Sequence, residues 1–139
     1  MSHSHNTVTL DFSSELKFTE FSVLVMQYLG NLLQIDDERF FQIELALREV
    51  INNAIIHGNR SDPSKRVKVS FSWNKDFLRI QIRDENNDSV DFERIAREAE
   101  NQDILSPSGR GMIIMRSYID SVTFESTGKG SVITMEKRL

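Results

Sequence analysis

Alternating apolar and polar residues identify the β-structure of this chain. The pattern first occurs over residues 7–12, where Val8, Leu10 and Phe12 share one face. It returns on both sides of Asn74-Lys75-Asp76, where the alternating apolar residues are Val67, Val69, Phe71, Trp73, Leu78, Ile80 and Ile82. Because alternate side chains of a strand point to the same face of a sheet, these patterns predict a half-buried first strand and a hairpin. Residues 122–127 and 131–137, on either side of Gly128-Lys129-Gly130, predict a second hairpin.

Helical spacing of apolar residues predicts a first helix directly after the first strand. Ser13 and Ser14 are candidate caps for its start, and Glu15 lies near the positive end of the helix dipole. The helix extends to about residue 33, and its predicted core-facing residues are Phe18, Phe21, Val25, Tyr28, Leu29 and Leu32.

A second helix is predicted over residues 38–57. Asp36 or Asp37 caps its start, and Gly58 supplies a left-handed residue that ends it. The residues predicted for its buried face are Ile43, Leu47, Val50, Ile51 and Ala54. After the first hairpin comes a polar segment, residues 85–108, with a short helix over 91–100, and a further helix follows over 111–120. This segregation of helices and strands predicts an α+β fold, with one mixed sheet covered by helices on one face.

Length and composition restrict the class of protein. The 139 residues favour one domain over residues 7–139, after a flexible N-terminus of residues 1–6. A net charge of −4 argues against broad binding of nucleic-acid phosphates, which requires clustered lysine and arginine. The chain shows no signal-peptide pattern, no apolar stretch long enough to span a membrane, and no cysteine. We therefore expect a cytoplasmic protein without a nucleic-acid or membrane partner.

Polar residues on the second helix are the first candidates for chemistry. Glu49, Asn53 and His57 are spaced four residues apart and lie on one side of the helix, beside its buried face. This spacing is compatible with a solvated helix face as well as with a functional site at the edge of the core. His57 is interpreted as a structural residue at the helix end.

Three further segments carry polar residues in positions of interest. Asp84 continues the inward face of the first hairpin, so it either turns into solvent or forms the floor of a pocket. The loop of residues 106–112 is rich in small residues and precedes a helix, and backbone N–H groups at such a helix start suit a phosphate. Ser131 shares a face with Ile133 and Met135, and is either a satisfied core hydroxyl or a second polar group of the pocket.

Four segments, in this order, resemble the sequence boxes of the Bergerat-fold (histidine-kinase-like) ATPases, and in particular the anti-sigma-factor serine/threonine protein kinases. They are Glu49-Val-Ile-Asn-Asn53-Ala-Ile-Ile-His57-Gly58, Ile82-Arg-Asp84-Glu85, Gly109-Arg-Gly111-Met112 and Gly130-Ser131. The resemblance spans most of the chain, and the first segment, which looks like the N-box, is its most specific part. It implies a two-layer α+β sandwich whose sheet is mostly antiparallel. Because no sensor or dimerisation region follows the domain, a stand-alone anti-sigma kinase is favoured over a sensor histidine kinase.

The resemblance implies roles for individual residues of the first, second and fourth segments. Asn53 would coordinate Mg²⁺, and Glu49 would accept the proton of a substrate serine. Asp84 would accept a hydrogen bond from the amine of adenine, supported by Ser131. The cofactors implied are therefore ATP and Mg²⁺.

The resemblance also implies a role for the glycine-rich segment and the identity of the partners. Backbone amides near Gly109 and Gly111, next to Arg110 and Met112, would hold phosphates under a lid of about residues 86–108. The implied partners are a sigma factor that is sequestered and an anti-anti-sigma (STAS-type) protein that is phosphorylated, in a bacterial partner-switching system. A homodimer is compatible with the resemblance.

The segment after Asp84 departs from the family pattern, Asp-x-Gly-x-Gly. Here it is Asp84-Glu85-Asn86-Asn87-Asp88-Ser89, without a glycine. Asparagine tolerates the left-handed conformation better than other non-glycine residues, so we expect Asn86 or Asn87 to adopt it if the turn is kept. Two alternatives to the kinase remain open. One is a non-catalytic, partner-binding module with weak or no ATP binding, and the other is an ATPase or kinase-like regulator outside sigma-factor control.

Overall fold

The computed structural model describes residues 6–86 and 119–139, which form one five-stranded sheet and a layer of helices. The strands are β1 (Asn6–Ser13), β2 (Arg66–Trp73), β3 (Phe77–Asp84), β4 (Ser121–Ser126) and β5 (Ser131–Arg138). Their order in the sheet is β1-β2-β3-β5-β4, and every pair among these strands is antiparallel. The α+β two-layer sandwich is therefore confirmed, and the described sheet is wholly antiparallel where a mixed one was expected.

The strand faces follow the predicted alternation. The apolar residues predicted for the inward face of β2 and β3 are buried, except Trp73, which is partly buried, and β5 adds Ile133 and Met135 to the same face. Those strands pack against the buried face of the second helix, in which Ile43, Leu47 and Val50 have at most 1% of their surface exposed. Both hairpin turns lie where the sequence predicts them, because Gly, Asn and Asp residues interrupt the alternation there.

The first helix begins differently from the prediction. Ser13 ends β1, and a 3₁₀ turn, Leu16–Phe18, precedes helix α1, Thr19–Leu32. Neither Ser13 nor Ser14 caps it, since the residue before the helix is Phe18 and no side chain caps that end.

The predicted apolar face of α1 is also largely wrong. The buried apolar residues of α1 are Val23, Met26 and Leu29, whereas Phe21 and Tyr28 are exposed. Both sides of this helix carry apolar residues, so periodicity alone did not determine which side packs on the core.

The second helix, α2, spans Asp37–Asn53 and is capped by Asp36, whose carboxylate accepts a hydrogen bond from the Arg39 amide at 2.9 Å. A π turn, Ala54–Gly58, continues it, so the helical region ends where the sequence predicts. The role predicted for Gly58 is wrong. The left-handed residues are Arg60 and Ser61, with φ of 55° and 57°.

Several predictions fall on residues 87–118, which lie outside the described residues: the helix over 91–100, most of the lid, the loop of residues 106–112 and most of the last helix. At the predicted end of the last helix, Ile119 and Asp120 are not helical and lead directly into β4. Within the described part of the chain, no helix is long and apolar enough to cross a membrane.

Candidate functional site

Asp84 is the buried carboxylate of the site. It ends β3, and only 4% of its surface is exposed. Its Oδ1 accepts hydrogen bonds from the backbone amides of Asn86 at 2.9 Å and Ser131 at 3.2 Å. Among the described residues no donor engages Oδ2. The interpretation of Asp84 as a pocket floor is therefore supported by its burial, and one oxygen remains available to a ligand.

Two glycines allow the backbone to approach Asp84 closely. A Cβ at Gly58 would lie 2.4 Å from Asp84 Oδ2, and one at Gly130 would lie 2.0 Å from the Asp84 carbonyl oxygen. Carbon atoms cannot approach these oxygens so closely, so both positions exclude any side chain. The end of the N-box segment and the last hairpin therefore meet at Asp84, as the order of the four segments implies.

Glu49 and Asn53 lie one turn apart at the end of α2 that leads to Gly58. One carboxylate oxygen of Glu49 and the amide nitrogen of Asn53 are buried without a hydrogen-bond partner among the described residues. Unsatisfied buried polar atoms are rare because each costs about 1–3 kcal/mol, so their pairing on one helix face points to a ligand.

Burial changes the proton affinity of both carboxylates. Loss of hydration raises the pKa of Glu49 from 4.5 to about 7. The pKa of Asp84 is also raised by burial, and the two backbone amides on Oδ1 oppose this rise. Perturbed carboxyl groups are typical of catalytic and binding sites.

The π turn explains why the predicted polar stripe is shorter than expected. The extra residue in this turn ends the four-residue spacing after Asn53, and His57 is exposed. Turns of this type are frequent at functional sites.

The other predicted site residues are placed only in part. Asn86 is buried beside Asp84, and it does not adopt the left-handed conformation, while Asn87 lies outside the described residues. Ser131 contacts Asp84 through its backbone amide. Gly109, Arg110, Gly111 and Met112 lie outside the described residues.

Sequence reasoning missed Asn59, which is completely buried next to Asp84. Its side chain donates to the carbonyl oxygen of Arg66 in β2 and accepts from the amide of Glu85, the residue after β3. The only local signal is its position directly after the N-box segment.

The described residues fit Mg²⁺ and an adenine nucleotide. An amide oxygen such as that of Asn53 suits a hard cation, and the free oxygen of Asp84 suits an amino group. The unsatisfied atoms of Glu49 and Asn53 lie on the same helix face, where bound groups would satisfy them.

The family model for the histidine kinase-like ATPase domain matches residues 19–137. The chain therefore belongs to the histidine kinase-like ATPase domain family. Within this family it belongs with the anti-sigma F factors, which match it almost from end to end. The anti-sigma F factor of Geobacillus stearothermophilus is 30% identical over 95% of this chain and 92% of its own length. That of Clostridium perfringens is 28% identical over 96% of this chain and 97% of its own length.

Solved structures support the fold. A chain of the SiaB–SiaC complex from Pseudomonas aeruginosa aligns with a TM-score of 0.66 and 10% identity, over 95% of this chain and 89% of that one. The histidine kinase domain of the blue-light-activated kinase from Erythrobacter litoralis aligns with a TM-score of 0.57 and 14% identity. It covers 88% of this chain and 61% of the other.

Proposed function

We propose that this chain is an ATP- and Mg²⁺-dependent serine protein kinase of the cytoplasm that sequesters a sigma factor and phosphorylates an anti-anti-sigma (STAS-type) protein. The observation that carries the proposal is a buried carboxylate oxygen of Glu49, one turn before Asn53, that has no hydrogen-bond partner among the described residues. The names of the relatives support a sigma factor as the partner.

The nucleotide is held by residues from three elements. Oδ2 of Asp84 accepts a hydrogen bond from the adenine amine, while the Ser131 amide keeps Oδ1 oriented. Asn53 contributes its amide oxygen to Mg²⁺, which neutralises phosphate charge when it is bound. Gly109 and Gly111 contribute phosphate-binding amides, and Arg110 and Met112 flank them.

Glu49 is the proton acceptor. Its carboxylate takes the proton of the substrate serine hydroxyl as that oxygen bonds to the terminal phosphorus and ADP leaves. A pKa of about 7 leaves a substantial fraction of Glu49 ionised at neutral pH and also makes it a stronger base than an exposed glutamate.

Two substitutions on α2 test this assignment. Glu49→Gln keeps the shape and removes the base, so phosphoryl transfer to the anti-anti-sigma protein should be lost while ATP affinity stays within roughly three-fold. Asn53→Ala should remove the Mg²⁺ dependence of ATP binding. The control is Glu38→Gln, at an exposed position in the first turn of the same helix. Wild-type transfer by Glu49→Gln would refute the assignment.

The absence of glycine after Asp84 favours one alternative, a non-catalytic partner-binding module. The side chain of Asn86 is buried where the family pattern has a glycine, so it occupies space beside the adenine site. Asn86→Gly should therefore tighten ATP binding in calorimetry with Mg²⁺. If neither form binds ATP at millimolar concentration while folded, the non-catalytic module is the better account.

We also propose that the chain forms a homodimer through α1 and β1. The outward side of α1 carries four exposed apolar residues at helical spacing: Phe21, Leu24, Tyr28 and Leu32. Leu24, Tyr28 and Leu32 line an apolar groove of about 360 Å³ that reaches Val8 on β1 and Trp73 on β2.

A second copy of the chain is the occupant that fits this surface. β1 is an edge strand of the sheet, and its outer edge has no strand partner among the described residues. An exposed edge strand can pair with another strand, and an apolar helix face beside it can pack against the same face of a copy. One two-fold axis would satisfy both surfaces together.

A further inference from the structure

The side chain of Asn59 forms hydrogen bonds to the backbone of two segments, β2 and the residue that follows β3. It follows the π turn directly, and none of its surface is exposed. Its Nδ2 donates to the carbonyl oxygen of Arg66 at 2.9 Å, and its Oδ1 accepts from the amide of Glu85 at 2.9 Å. Its own amide donates to the carbonyl oxygen of Ala54 at 2.8 Å, which ties the side chain to the π turn.

The register of the sheet shows what this side chain does. Lys68 pairs with Arg83, so the antiparallel register places Arg66 opposite Glu85. At this position the carboxamide of Asn59 stands between the two backbones, and the Arg66 amide donates to the Glu85 carboxylate. The carboxamide of Asn59 satisfies both groups because it carries a donor and an acceptor on separate atoms.

Asp84 is the residue immediately before this bridge. Asn59 holds the next residue, Glu85. The Oδ1 atom of Asp84 accepts from the amides of Asn86 and Ser131, and the Oδ2 atom of Asp84 lies against Gly58. The bridge therefore sets where β3 leaves the sheet and, with it, the direction of the Asp84 carboxylate.

We propose that Asn59 is a positioning residue that holds Asp84 in the orientation that accepts the adenine amine. This inference rests on the proposed nucleotide binding for its functional consequence, whereas the positioning itself is a property of the nucleotide-free protein. The two parts are therefore measured separately.

Amide hydrogen exchange of the nucleotide-free protein, followed by NMR, tests the positioning. In the wild type the Glu85 amide should be protected, because the Asn59 side chain accepts its hydrogen bond. In Asn59→Ala the Glu85, Asn86 and Ser131 amides should exchange roughly ten-fold faster, while amides in the centre of β1 and β2 change by less than about three-fold.

Nucleotide affinity provides the second readout. Asn59→Ala should weaken ATP by roughly ten-fold and leave GTP, which lacks the adenine amine, unchanged within about two-fold. The matched control is Asn74→Ala. Asn74 also accepts hydrogen bonds from backbone amides, those of Asp76 and Phe77, but at the opposite end of the same hairpin. Asn74→Ala should leave both nucleotide affinities unchanged.

Each outcome decides between the possibilities. The inference is overturned if Asn59→Ala exchanges faster throughout the sheet and not only near Asp84. It is also overturned if the wild type binds ATP and Asn59→Ala binds it equally well. In either case Asn59 is a structural residue only. An unprotected Glu85 amide in the wild type would also overturn the inference, even if Asn59→Ala does not fold. Local loss of protection in a protein that binds no ATP would refute the proposed function and leave the positioning of Asp84 intact.

Discussion

Burial distinguishes Asp84 and Asn53 from the other polar residues of β3 and α2. Asp84 and Asn53 are buried and Glu49 is half-buried, at positions where apolar side chains would make the core more stable. Ionised carboxylates lose hydration energy when they are buried, and the raised pKa values of Glu49 and Asp84 reflect this cost. Proteins retain such groups where binding or catalysis requires them.

Substitution of Asp84 tests the adenine contact directly. Two backbone amides donate to the Asp84 carboxylate, and the adenine amine would be a third donor. Asp84→Asn replaces one acceptor oxygen with an NH₂ donor, so one of these donors loses its partner. ATP affinity measured by calorimetry should fall by roughly 1–3 kcal/mol, while Asp76→Asn, at an exposed position in the turn before β3, should leave it unchanged. Wild-type affinity in Asp84→Asn would show that adenine binds elsewhere.

Glu49 should make the stability of the nucleotide-free protein depend on pH. Its pKa is about 7 in the folded protein against 4.5 as its ordinary value, so the folded state binds the proton more tightly. The stability that comes from protonation is complete below pH 4.5 and is lost as the pH rises through 7.

Glu49→Gln is neutral at every pH and avoids this loss. Its free energy of unfolding in urea should exceed that of the wild type by about 1–2 kcal/mol at pH 8, after allowance for partial exposure, and by little at pH 4.5. Glu38→Gln, at an exposed position of the same helix, should show no such dependence. An equal gain at both pH values would contradict a raised pKa of Glu49.

At the scale of elements, the site is the place where α2, β3 and the β4–β5 hairpin converge. The π turn brings Gly58 against the Asp84 carboxylate, and the hairpin brings Gly130 against the backbone of the same residue. Glycine is required at both positions because of close approach, and positive φ values, 78° at Gly128 and 158° at Gly130, also favour glycine in the hairpin.

The two glycines of the last hairpin form a matched pair for a test. A Cβ at Gly130 would meet the Asp84 carbonyl oxygen at 2.0 Å, whereas a Cβ at Gly128 meets nothing within 4 Å. Gly128→Ala should cost about 1 kcal/mol of stability, from its left-handed conformation alone, and leave ATP affinity unchanged. Gly130→Ala should cost at least about 2 kcal/mol and weaken ATP, because β3 and β5 must separate at Asp84. Equal effects in thermal melts and calorimetry would contradict this difference.

At the scale of the whole molecule, the helix layer has apolar residues on both of its sides. One side of α1 packs in the core through Met26 and Leu29, and the other leaves Tyr28 with 70% of its surface exposed. Large exposed apolar patches are typical of interaction surfaces. The proposed homodimer would bury this surface and extend the sheet across β1.

Sedimentation or light scattering tests the homodimer. Tyr28→Ser should shift the protein from dimer to monomer at micromolar concentration, because it removes the largest exposed side chain of the patch. The control is Phe77→Ser, which removes an aromatic residue with 42% exposure from the opposite face of the sheet. A monomeric wild type, or a dimer that survives Tyr28→Ser with Leu24→Ser, would contradict this interface.

The sequence by itself determined the strands, their buried faces, the second helix and the roles expected of its polar residues. The alternation in β2 and β3 was sufficient because every second residue must face the core, and that requirement is local. The spacing of Glu49 and Asn53 was likewise readable because four residues make about one helical turn.

Only the tertiary structure decided how these elements use their remaining residues. The sequence did not determine which side of α1 faces the core, because both sides are apolar. Packing against the sheet and α2 determines it. Gly58 was predicted as a left-handed stop, but its small size serves the approach of Asp84, which is far away in sequence. Asn59 was missed for the same reason, since it bonds Glu85, 26 residues later. Contacts between distant segments produce no periodic pattern in the sequence, so only the folded structure shows them.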